Sequence, residues 1–352
     1  MNRRRVALLT LPAIVLVAIV ALRTAVRTEP RDPYDRTIGK GRVETVIDRA
    51  GTSTRACRCM PDRSVAIDYA GFTTHGDLYG TDRLADGDRP KASVLLIHGN
   101  TARGRRLATY RALASRLAAR GAVVFAYDQL GFGDSDDPFG RGPEAARLAY
   151  DRTALAVAAL ARFGDETALD PERITVVGHS GGALPALRLA LDHPDVGSAV
   201  LIGPPRRVEE RSNEPVDVAY FAERFRATYR WVYERELPDW LLPEHLGAEG
   251  PYSLEEHLVW PTAPGLGEAG HVPLLFVDGG REDADELAYM EAFLDRIAEP
   301  RSLLRQERSD HYLNTSESLG WVVYDAAVVD ELADAILILV DEAPRRDDPE
   351  RF

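Results

Sequence analysis

The chain has 352 residues, enough for one large domain or two modest ones, and its 45% hydrophobic content suits a folded core. A net charge of −13, with no basic run in the body of the chain, argues against nucleic acid as a partner, since phosphate binding needs a basic face.

Residues 1–5, MNRRR, precede the uncharged stretch VALLTLPAIVLVAIVAL at 6–22, which is within the length of a membrane-spanning helix. It is apolar all round and no small-x-small cleavage site follows, so a signal-anchor helix is expected, with a cleaved signal and a secreted protein as the alternative. Arg3 to Arg5 favour a cytoplasmic N-terminus and an extracytoplasmic domain, although Arg23, Arg27 and Arg31 stand on the other flank. Residues 23–61 are polar and without period, as a linker would be. They contain the chain's two cysteines, Cys57 and Cys59. A bridge across one intervening residue is expected to be strained, and two thiolates do not complete a zinc site. Two unpaired thiols and no metal are the expectation.

SVAIDYAGF and HGDLYGT alternate like paired strands, and ASVLLIHGN is a continuous run suited to a strand buried on both faces. Residues 103–120 have helical spacing, AVVFAYD is a strand, and 143–163 is a helix with a proline near its start. RITVVGH, a helix over 181–192, and GSAVLIG continue the alternation. This order predicts an α/β fold, a mostly parallel eight-stranded sheet with helices on both faces. The core is expected at 62–204 and 271–343. Between these, 205–270 carries nine aromatics, Trp231, Trp240 and Trp260 among them, and reads as a helical cap after the sixth strand. VPLLFVDGG, a helix over 284–298, the strand SLLRQER and a closing helix over 319–340 follow, then a charged tail at 344–352.

GHSGG, residues 178–182, sits where a strand ends and a helix begins. Strand and helix cross closely there, so Gly178 and Gly182 flank Ser180 as the G-x-S-x-G pattern requires. The turn would raise Ser180 Oγ above the sheet and leave the Gly181 N–H at a helix N-terminus, facing developing negative charge. A serine nucleophile needs a base, and the base an orienting acid, on later strand ends. His311, in SDH after the last strand, is the only histidine beyond the acidic run REDADE. In that run Asp283 is the expected acid, Glu282 its rival, and Asp278 is expected to lie within the strand. HGN after the third predicted strand offers the Asn100 N–H as second oxyanion donor, with Thr101 as alternative. His98 and His179, beside these turns, are expected to pack.

HGN, YDQLGFGDSDD, GHSGG, GRED and SDH, in this order, resemble the α/β-hydrolase superfamily over about residues 64–340, most closely its esterase, monoacylglycerol-lipase and serine-aminopeptidase-like branch. The resemblance implies a Ser-His-Asp hydrolase working through an acyl-enzyme, with no cofactor and no metal. Dehalogenases and epoxide hydrolases carry an aspartate at the elbow and are disfavoured. Cofactor-free haloperoxidases and C–C bond hydrolases share the triad and stay open. The expected substrate is a small ester, possibly lipid-like, with an apolar acyl group. The alternatives are a peptidase or amidase, with a cap carboxylate such as Glu255 holding a substrate amine, and a non-catalytic membrane-anchored binding protein of the same fold.

Overall fold

The computed structural model describes residues 53–85, 89–167, 174–204, 236, 272–279, 294 and 301–342. The chain enters through β1 (Thr54–Cys57) and a hairpin of β2 (Arg63–Tyr69) and β3 (Phe72–Tyr79). Ala70 and Gly71 at the hairpin corner have φ of 49° and 82°, two successive left-handed residues that suit a two-residue turn. Next come β4 (Ala92–Ile97), β5 (Ala122–Tyr127) and β6 (Ile174–His179), six residues each and buried throughout. A strand covered on both faces is largely apolar, and these runs are; their polar members Ser93, Thr175 and His179 are buried as well. With β7 (Val196–Ile202), β8 (Leu274–Gly279) and β9 (Arg301–Gln306) they form an eight-stranded sheet ordered β2-β3-β5-β4-β6-β7-β8-β9. β2 and β3 pair antiparallel, as do β3 and β5, and every other pairing is parallel.

The pleat sorts the strand residues between two apolar clusters, because alternate side chains face opposite ways. Leu95 and Ile97 of β4 join Phe125 and Tyr127 of β5 on one face. Val94 and Leu96 join Val124 and Ala126 on the other. Helix α1 (Ala108–Ala119) packs on the second face. The first face is covered by α3 (Arg152–Thr167), which follows α2 (Pro143–Tyr150), and by α4 (Ala183–Asp192).

Three local expectations change. The single helix expected over 143–163 is two, because Asp151 lies between them and its Oδ1 accepts the Ala154 N–H at 3.0 Å, capping α3. The closing helix does not begin near 319. Instead β10 (Thr315–Ser318) and β11 (Trp321–Asp325) form a hairpin turned by Leu319 and Gly320, at φ 50° and 77°. Asp325 Oδ1 then accepts the Ala327 N–H at 3.0 Å and opens α5 (Ala326–Glu342), which joins α1 on the second face. The linker, too, is structured at its end: β1 adds to β11, making a small sheet ordered β1-β11-β10. The cysteines also depart from expectation. Cys59 adopts φ 45°, which folds the chain back so that the Cα atoms of Cys57 and Cys59 are 5.1 Å apart, within bridging range, and they form a disulfide.

Asp278 lies within β8, as expected. The expected membrane helix at 6–22, the cap at 205–270 (Glu236 aside), the helix at 284–298 (Leu294 aside) and the tail at 344–352 fall outside the described residues. Among the described residues no helix is long and apolar enough to cross a membrane.

Candidate active site

β6 ends at His179 with extended backbone, and Ser180 then turns to φ 50° as the first residue of a short 3-10 turn, Ser180–Gly182. A left-handed serine is uncommon and costs conformational energy, so it persists only where its surroundings fix it. Two glycines make room for this turn. A Cβ on Gly178 would fall on the Gly182 carbonyl oxygen and crowd Ala186 Cβ at 2.6 Å. A Cβ on Gly182 would fall on the Ile97 carbonyl oxygen at the end of β4. Strand, turn and helix therefore cross at backbone contact, the geometry expected of a nucleophile elbow.

The loop after β4 closes on the elbow from one side. A Cβ placed on Gly99 would be 2.8 Å from Ser180 Cβ, and one on Gly181 would be 2.9 Å from Asn100 Oδ1. Of the two donors considered in this loop, the Thr101 N–H is already bonded to the Gly99 carbonyl at 2.9 Å. Asn100 makes no such backbone bond among the described residues, which leaves its N–H for another acceptor. The Gly181 N–H lies in the opening turn, ahead of the bond from Ala183 N–H to the Ser180 carbonyl, where helical donors lack partners.

The loop after β9 closes from the other side and carries His311. Asp310 Oδ1 accepts the N–H groups of Tyr312 and Asn314 at 2.9 and 2.8 Å. Asn314 Oδ1 accepts the Asp310 N–H at 3.1 Å, and its amide donates to the Arg308 carbonyl at 2.8 Å. The His311 carbonyl is 2.7 Å from His179 Nε2, and the two imidazole rings are 4.8 Å apart. Ser180, Gly181, Asn100 and His311 are thus gathered around one strand end. Asp283 and Glu282 lie outside the described residues.

His98 and His179 are each 1% exposed, and both are wired by hydrogen bonds rather than merely packed. His98 Nδ1 is 2.6 Å from the Gly99 carbonyl, while its Nε2 accepts the Gln129 N–H at 2.9 Å. Burial, with the cations Arg152 and Arg105 assisting and the Gly99 bond opposing, pushes its pKa down to about 3. Folding therefore expels a proton that the unfolded His98 would hold below about 6.5. Wild type should lose stability relative to His98→Gln as pH falls from 6 to 4, by about 1.4 kcal/mol per pH unit at most, in urea unfolding at a series of pH values.

Two neighbours carried no recognisable signal in the sequence. Arg152, the first residue of α3, has Nη1 3.3 Å from the Gly181 carbonyl and its guanidinium 5.6 Å over Phe132. Arg105 is 2% exposed and anchors the loop after β4. Its Nε and Nη2 meet Asp77 and Asp134 at 3.0 and 3.1 Å, and its Nη1 pairs with Asp128. The Asp128 partnership lay in the quoted stretch YDQLGFGDSDD, but nothing in that stretch names the arginine.

A family model described as serine aminopeptidase, S33, matches residues 88–260. Among solved structures, DcsB in complex with a substrate analogue is 16% identical with a TM-score of 0.53, covering 80% of this chain and 98% of its own. Est1E from Butyrivibrio proteoclasticus, bound to ferulic acid, is 16% identical with a TM-score of 0.51, over 79% and 98%. The meta-cleavage product hydrolase of Pseudomonas fluorescens is 16% identical with a TM-score of 0.51, over 80% and 98%. A comparison with curated protein sequences gives no match. The sheet order and the elbow are those of the α/β-hydrolase fold, and the family model matches this chain within that fold over residues 88–260.

Proposed function

We propose that the protein is a serine hydrolase of small carboxylic esters with apolar acyl groups. The observation that carries this reading is Ser180 itself, a left-handed serine at the crossing of β6 and α4, with the Gly99-Asn100 loop against it on one side and the His311 loop on the other. His311 takes the proton as Ser180 Oγ attacks the carbonyl, and Asp283 orients and balances the imidazolium. The N–H groups of Gly181 and Asn100 stabilise the oxyanion. The leaving alcohol takes its proton from His311, which next activates water to release the acid and free Ser180. No cofactor or metal takes part. The aromatics at 205–270 would line the acyl site, and the helix at 6–22 would tether an extracytoplasmic domain to the membrane.

The description of the matching family model favours a second reading, an aminopeptidase. Hydrolysis of short p-nitrophenyl esters should exceed that of aminoacyl-p-nitroanilides, compared by kcat/KM on the same preparation. A clear preference for the anilides would overturn the ester reading in favour of the peptidase.

A further inference from the structure

Three loops that must keep register for this chemistry are joined by one side-chain bridge outside the triad. Tyr110, 1% exposed, projects from the first turn of α1, and its Oη accepts the Gly99 N–H at 2.8 Å. The same oxygen is 2.8 Å from His179 Nδ1, and His179 Nε2 is 2.7 Å from the His311 carbonyl. A carbonyl can only accept, so Nε2 carries the ring proton and Nδ1 is left as the acceptor. The Tyr110 hydroxyl must then donate to Nδ1. Each proton has one direction, from the Gly99 N–H to Tyr110, from Tyr110 to His179, and from His179 to His311.

We propose that Tyr110 and His179 are positioning residues for the Ser180 reaction, fixing the spacing between the oxyanion loop, the elbow and the backbone of the base. This rests on the hydrolase reading above. The three loops leave the ends of β4, β6 and β9, beyond the reach of the sheet ladder, so their register needs another source. Displacement of reacting groups by about 1 Å can cost on the order of 100-fold in rate. The residue next to Tyr110 works on the same loop: Thr109 Oγ1 donates to the Tyr312 carbonyl at 3.1 Å, and Thr315 Oγ1 reaches that carbonyl at 2.9 Å. Two successive residues of α1 therefore hold the His311 loop, one directly and one through His179.

The test uses p-nitrophenyl ester turnover and the rate of fluorophosphonate labelling at Ser180 in the full chain. Tyr110→Phe deletes one hydroxyl and leaves the ring. Tyr127→Phe is the matching control, since the Tyr127 hydroxyl is buried with no hydrogen-bond partner among the described residues. Tyr110→Phe should lower kcat and slow labelling about 10- to 100-fold with KM nearly unchanged. Tyr127→Phe should change neither rate. His179→Gln retains an N–H toward the His311 carbonyl and should remain faster than His179→Leu, which has none. This second pair decides the matter if Tyr110→Phe fails to fold. Tyr110→Phe at the wild-type rate, or equal rates for the two His179 variants, overturns the positioning role and leaves the hydrolase reading standing. A wild-type protein that Ser180-directed fluorophosphonate does not label overturns the hydrolase reading and the positioning role with it.

Discussion

Ser180→Gly should abolish ester hydrolysis and at the same time stabilise the fold. Ser180 sits at φ 50°, a backbone region that costs a non-glycine residue about 1–3 kcal/mol. Glycine reaches that region freely but adds about 1 kcal/mol of chain entropy to the unfolded state, so the net gain should be about 1 kcal/mol. In a protein of this size that raises Tm by roughly 1–2 °C. Loss of a serine nucleophile in a triad costs about 10⁴- to 10⁶-fold in kcat. Opposite movements of activity and Tm would mark the strain as retained for the reaction. Calorimetry beside p-nitrophenyl ester turnover checks both. A Ser180→Gly protein that keeps wild-type turnover would remove the nucleophile assignment.

Arg105→Met should be strongly destabilising. Arg105 brings three carboxylates together: Asp77 from β3, and Asp128 and Asp134 from the loop after β5. Its backbone N–H also donates to Asp128 Oδ1 at 2.7 Å. Burial pushes the Asp128 carboxyl up to about 6, and the pull of Arg105 offsets only part of that. Asp128 is fully buried, so removing the guanidinium leaves a charge with no compensating cation. Breaking one partner of a buried ion pair costs about 3–5 kcal/mol. Without Arg105 the Asp128 carboxyl moves further up, so the loss should shrink as pH falls from 7 to 5 and Asp128 takes up a proton and sheds its charge. Arg105→Lys should rescue little, because one ammonium cannot span three carboxylates as a planar fork does. Urea unfolding at pH 7 and pH 5 measures both statements. An Arg105→Met protein within 1 kcal/mol of wild type would show that the cluster is not anchoring the loop.

What could be read in the sequence follows from period and burial. ASVLLI, AVVFAY and ITVVGH were legible because a strand covered on both faces is a nearly continuous apolar run, and GHSGG because only glycine fits where β6 and α4 cross. The β10–β11 hairpin was not legible. Its turn is Leu319-Gly320, and a leucine in the left-handed region gives no turn signal that a reader of residue types could use. The Cys57–Cys59 bridge was missed for the same reason, since it depends on the positive φ of Cys59. Asn100 and His311 were singled out by their place after strands. Tyr110 could not be, because it lies on a helix that buries five apolar residues of ordinary core type beside it, and its hydroxyl bonds appear only in three dimensions.

The central claim is that Ser180 is an activated nucleophile with His311 as its base. Mass-spectrometric mapping of a fluorophosphonate adduct on the intact protein tests it most directly. The adduct should map to Ser180 alone, and His311→Ala should slow its formation by about 10³-fold or more. An adduct on another residue, or labelling of Ser180 that His311→Ala leaves unchanged, would contradict it.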